Sequence, residues 1–118
     1  ARAASGDGGP SDRPLAFLRG LLEHLHDQRR LCRSIFGRRS GQIVQSRFRL
    51  MLVQMLRDDP RVARTRGWAR ELAIHYLAGA MVEVIAWWAQ NEFRQPVGEI
   101  EELYRDLSMS ALRFRQPM

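Results

Sequence analysis

The sequence predicts an all-α fold, a helical bundle of about four to five helices. Three observations lead there. Apolar residues recur at three- and four-residue steps along most of the chain, and no stretch alternates with the period of two that a strand needs. Proline and glycine fall between the periodic runs. No segment repeats another, and 118 residues with 45% hydrophobic content suit one core and one domain.

Residues 1–13, "ARAASGDGGPSDR", are small, polar and glycine-rich, and read as a flexible leader or linker ahead of a domain at 14–118. The first helix is predicted over Pro14–Phe36. Pro14 suits a first turn, where its missing N–H would have no partner. Leu18, Leu21, Leu22, Leu25, Cys32, Ile35 and Phe36 form its stripe, and Gly37 supplies a left-handed cap. The second helix is predicted over Ser40–Asp58, with Ser40 as N-cap and Val44, Phe48, Met51, Leu52, Met55 and Leu56 on one face. "DDP" at 58–60 stops it, because a residue before proline avoids helical angles. Residues 60–66 read as a short turn or loop. The third helix is predicted over Thr65–Phe93 and the fourth over Pro96–Arg115. Glu99, Glu101 and Glu102 lie in the first turns of the fourth, where the helix dipole favours negative charge. Its face is Ile100, Leu103, Tyr104, Leu107, Ala111 and Phe114. The connection at Gln95–Pro96 is so short that these last two helices must be antiparallel neighbours.

The third helix poses the sharpest question. Leu72–Ala89 holds only two clearly polar residues, His75 and Glu83. Ionisable groups near the middle of a membrane span cost several kcal/mol, so the segment reads as part of a folded bundle and not as a span. At 100° per residue it carries two stripes. Ile74, Leu77, Ala78, Met81, Val84, Ile85 and Trp88 are wholly apolar and are assigned to the chain's own core. Leu72, His75, Tyr76, Gly79, Val82, Glu83, Ala86 and Gln90 are too apolar for water and too polar for plain core. The fourth helix covers only part of that stripe. A second copy of the chain, related by a two-fold axis, completes it as a four-helix dimer interface. His75 and Glu83 then either fix register or sit at the rim.

Charge and chemistry-bearing residues narrow the function. The net charge is +6, and all 19 basic residues are arginine, a usage that reads as coding bias and weakens an argument for nucleic-acid binding. Five arginines between Arg29 and Arg39 straddle a helix end without interleaved aromatics, so a solvated basic surface is the better reading. Cys32 lies within an apolar pattern and reads as an inert core thiol. "EHLH" sets Glu23 and His26 at the spacing of di-iron bundles, but the second helix has no acid before Asp58 to complete such a site. Glu71 and His75, four apart, pair across one turn. No nucleophile–base set and no phosphate-binding glycine loop stands out, which argues against an enzyme.

Three stretches carry a family resemblance. "FLRGLLEHLHDQRRLCRSIFG" is similar to the first helix after the DNA-binding head in one large subgroup of the tetracycline-repressor (TetR) family of bacterial transcription regulators. "HYLAGAMVEVIAWWAQNEF" is like its long penultimate helix, and "QPVGEIEELYRDLSMSAL" like its last. Together they span about residues 15–112. The sequence departs from that pattern in two ways. Gln95 replaces the usual serine-like cap, and nothing before Pro14 is long enough for a helix-turn-helix head. The lone cysteine and the lack of a signal-like start read as cytoplasmic, and no cofactor is expected. The resemblance implies a homodimeric, effector-sensing regulatory domain, which reaches operator DNA only through an N-terminal head absent from this chain. It implies an effector pocket inside each bundle, for which Leu22, Leu25, His26, Met51, Met55, Leu77 and Met81 are the candidate lining, with Trp68 and Tyr76 at the entrance. The expected dimer interface takes His75, Gly79, Val82, Glu83 and Ala86 from the third helix and Ile100, Leu103, Leu107 and Ala111 from the fourth. The competing reading is a metal- or cofactor-binding helical-bundle enzyme.

Overall fold

A computed structural model describes residues 15–36, 42–59 and 67–114, with side chains described through residue 110. Those residues form five helices and no strand: α1 (Leu18–Asp27), α2 (Arg29–Phe36), α3 (Gln42–Arg57), α4 (Gly67–Gln90) and α5 (Val97–Phe114). The all-α bundle is therefore as predicted. The calls on residues 1–13 and 60–66, on Pro14, Gly37, Ser40 and Thr65, and on the end at Arg115 fall outside the described residues.

The predicted first helix is in fact two. Gln28 leaves helical geometry at φ −102° and ψ 29°, and the chain bends there although no glycine or proline marks the place. The cause is tertiary. α1 lies against α5, whereas α2 lies against α4 and α3, and one straight rod could not serve both. Helical hydrogen bonds still bracket the bend, from Gln28 N to His24 O and from Cys32 N to Gln28 O, each 3.0 Å. The Arg29 guanidinium donates to the His26 carbonyl at 3.0 Å.

α3 faces inward along a line slightly rotated from the predicted one. Leu52, Val53 and Leu56 are buried, with Phe48 and Met55 partly so, while Val44 and Met51 point to solvent. The predicted face missed Val53 because packing on α4 and α2, not the apolar count, sets the rotation. Its C-terminal end is tied to α4: Arg70 donates to the Arg57 carbonyl at 2.7 Å, and Arg57 grips Glu71 through two bonds of 2.6 and 3.2 Å.

α4 is the central element, packed against α3 and α2 on one side with α5 folded back beside it. It ends at Gln90, earlier than predicted, in a corner made by two consecutive residues in the left-handed region, Glu92 (φ 60°) and Phe93 (φ 54°). Such geometry costs about 1–3 kcal/mol per non-glycine residue. The corner offsets this by burying Phe93 against Trp88, ring centroids 4.8 Å apart, and by a 2.8 Å bond from Phe93 N to Trp88 O. The Trp88 indole N–H donates to Gln95 O at 3.0 Å, so one tryptophan holds both sides of the turn. Pro96 O then accepts from Glu99 N and Ile100 N and opens α5.

The start of α1 is fixed by the far ends of the fold. Leu15, also left-handed at φ 60°, is fully buried. Its N–H donates to Asp59 Oδ2 at 3.0 Å, and its carbonyl accepts from Arg105 at 3.2 Å. Arg105 and Arg19 both reach Glu101, at 3.0 and 2.7 Å, which clamps α1 onto α5.

Candidate functional site

Two regions hold the residues with functional promise: the interior between α1, α3 and α4, and the outer flank of α4 with α5. The interior collects Leu22, Leu25, Leu77 and Met81, all buried in one apolar cluster, with Met55 packed against it. His26 stands at one end, its ring 5.8 Å from that of Trp88 and 6.3 Å from that of Phe93. The structure thus brings together six of the nine residues predicted for an effector pocket. The other three lie elsewhere. Met51 points outward because Leu52 and Val53 take the inward positions of α3. Trp68, 78% exposed, and Tyr76 lie on the solvent side of α4, because Ile74, Leu77 and Ala78 supply its inward face.

The outer flank is an open apolar surface. Leu72 is 64% and Tyr76 65% exposed on α4, and Leu103 is 62% and Leu107 71% exposed on α5. Residues of this size are common singly at a surface, whereas a set on two adjacent helices makes this flank a candidate contact face. Tyr104 bridges the two helices: its hydroxyl donates to the Leu77 carbonyl at 2.6 Å. Burial pushes that hydroxyl up to about 12, with a hydrogen bond from Ser108 opposing and Tyr76 adding to the rise.

Of the nine residues predicted at the interface, His75, Glu83, Leu103 and Leu107 are exposed on this flank, and Gly79 and Ala86 are half-buried along it. Val82 and Ile100 are corrections: both are buried in the chain's own core. Val82 turns toward Ala78 and Ile85, and Ile100 lies in line with Tyr104 and Ser108 on the inner face of α5. The side chain of Ala111 falls outside the described residues.

Electrostatics along the flank are local. Arg57 holds the Glu71 carboxyl below the usual carboxylate range, chiefly by hydrogen bonding and then by charge, and His75 and Arg70 act in the same direction. The predicted Glu71–His75 pair forms at 3.8 Å. Glu83 has no hydrogen-bond or ion-pair partner among the described residues. Burial raises the Cys32 thiol, which fits an unreactive core position. Glu23 pairs with Arg19 at 3.7 Å and His26 with aromatic rings, so the "EHLH" residues serve separate contacts. No three His, Cys, Asp or Glu side chains converge on a metal-sized site among the described residues. Arg29, Arg30 and Arg33 are exposed on α2.

Residues 12–110 match the family model of the transcriptional regulator C-terminal region of TetR type. The chain belongs to that family. Neither the curated proteins nor the solved structures gave a match. Membership in the TetR-type C-terminal family makes this a domain of a transcription regulator. It also bears on α4, which alone among the described helices is long and apolar enough to cross a membrane. In this fold its apolar residues divide between a buried flank and an exposed one.

Proposed function

We propose that this chain is the effector-sensing and homodimerisation domain of a cytoplasmic, bacterial TetR-type regulator. In the intact protein an N-terminal head binds operator DNA, and a small effector seated among α1, α3 and α4 alters that binding. The observation that carries the dimer is the exposure of Leu72, Tyr76, Leu103 and Leu107 on two neighbouring helices whose opposite faces already fill a core. Burying such a surface against its own image gives an isologous interface, the commonest route to a stable homodimer. The effector reading is supported by the interior cluster, where flexible Met55 and Met81 and the half-buried ring of His26 give an adaptable, mostly apolar lining with one polar edge.

Sedimentation equilibrium tests the dimer directly. A two-fold assembly at micromolar concentration is the expected result, and a single species of 13.7 kDa overturns it. For the interior, thermal-shift screening with small apolar compounds is expected to find stabilisers that fail on a Met81→Trp variant. No observation favours the metal-binding enzyme: among the described residues no three carboxylate, histidine or cysteine side chains converge.

A further inference from the structure

The outer flank of α4 has a register of its own. From its first turn to its last, the exposed or half-buried line reads Trp68, Leu72, His75, Gly79, Glu83, Ala86 and Gln90. The spacing is the same in both directions from Gly79. Four residues before it stands His75, and four after it Glu83; seven before it stands Leu72, and seven after it Ala86. A second, antiparallel copy whose two-fold axis passes through Gly79 therefore sets each residue beside the one equally far on the other side. His75 meets an acid, and the large Leu72 meets the small Ala86.

Two features of the single chain agree. A side chain at Gly79 would touch nothing within 4 Å, so the backbone there is open to close approach. Glu83 has no partner among the described residues, although His75 and Glu71 have found each other. We propose that the homodimer, whose existence rests on the reading above, is centred on Gly79, with His75 of each protomer bonded to the partner's Glu83. At 1.5 Å per residue, the two pairs lie about 6 Å to either side of the axis. The pairing also explains why a flank so apolar keeps two ionisable residues: each has its complement in the copy, whereas a parallel register would set each against its own like and a shifted one would separate the two.

Disulfide trapping on the full chain tests the register. Gly79→Cys has room for its side chain, so the fold is unaffected, and only at the axis do two identical positions come within the roughly 4.4–6.8 Å that a disulfide spans between Cα atoms. Mild oxidation is expected to convert Gly79→Cys to covalent dimer, to link Leu72→Cys/Ala86→Cys, and to leave Leu72→Cys alone and the wild-type chain with its buried Cys32 unlinked. Glu83→Arg is expected to weaken dimerisation at least about tenfold, and His75→Glu/Glu83→Arg to restore it. A wild-type dimer in which Gly79→Cys does not cross-link, or in which Leu72→Cys links to itself, overturns the register and leaves the dimer standing. A wild-type chain that sediments as monomer overturns both.

Discussion

The two flanks of α4 both carry large apolar residues and are opposite in fate. On the inner one, Ile74, Leu77, Ala78, Met81, Ile85 and Trp88 are all buried against α2, α3 and α5. On the outer one, Leu72 and Tyr76 stand open to solvent. The distinguishing mark in the sequence is small. The inner line has no polar member, whereas the outer line is broken by His75 and Glu83. In α4 the flank without polar interruptions is the one that the chain's own fold covers, and the interrupted flank is the one it leaves exposed.

The largest effect is expected from breaking the inner flank. Trp88→Ala removes a fully buried ring, its contacts with Phe93 and His26, and the indole bond to Gln95 O. A loss of about 3–5 kcal/mol in a denaturant titration is expected, enough to unfold a marginal domain. The outer flank answers differently. Leu72→Glu and Leu107→Glu place a charge where a copy would pack. They are expected to abolish the dimer in sedimentation while the far-ultraviolet circular dichroism of the monomer stays helical. Unfolding of the isolated chain by Leu107→Glu would show that the flank belongs to the fold itself.

Much of this contrast was legible in the sequence. The all-α class, the two stripes of α4 and the short α4–α5 turn follow from periodicity and from proline placement, which are local signals. The bend at Gln28 was not, because a helix with no breaker bends only when its two halves find different partners. The inward turn of Val53, Val82 and Ile100 was missed for a related reason. Each lies at the edge of its stripe, and a rotation set by the neighbouring helix decides which edge is covered. The left-handed corner at Glu92–Phe93 carries no glycine to announce it and exists because Trp88 binds both its sides. In the candidate site, Leu22, Leu25, Leu77 and Met81 were visible as core-facing positions, whereas Trp68 and Tyr76 were not separable from the interior by composition.

A smaller effect sharpens the boundary between the flanks, where Tyr104 bonds the Leu77 carbonyl. Tyr104→Phe keeps the ring and removes the second bond to that carbonyl, which keeps its helical partner, with an expected cost of about 1 kcal/mol. The buried hydroxyl holds its proton up to about 12 in the folded chain, while the unfolded chain releases it near 10. The Tyr104 contribution to stability therefore stays level below about 10 and declines as the pH rises toward 12. The Phe variant is expected to lose this component of the alkaline decline, as followed by unfolding midpoints between pH 8 and 12.

The smallest effect belongs to the surface grip that joins α3 to the outer flank. Arg57 and Glu71 make good bidentate geometry, but both are open to water, and exposed pairs contribute little. The direction can still be read from the shift. Glu71 is held below the usual range when folded, whereas the unfolded chain takes up its proton near pH 4.3. Its contribution is thus complete above that value and fades as the pH falls through the lower, folded one. Glu71→Gln is expected to leave the midpoint at pH 7 almost unchanged and to flatten the acid side of the stability profile between pH 5 and 3. The same substitution frees His75 from its in-chain neighbour without touching Glu83. If His75 serves the copy and not its own helix, dimerisation by Glu71→Gln at pH 6 will match or exceed that of the wild-type chain; a weaker dimer would mean that Glu71 orients the imidazole for the partner.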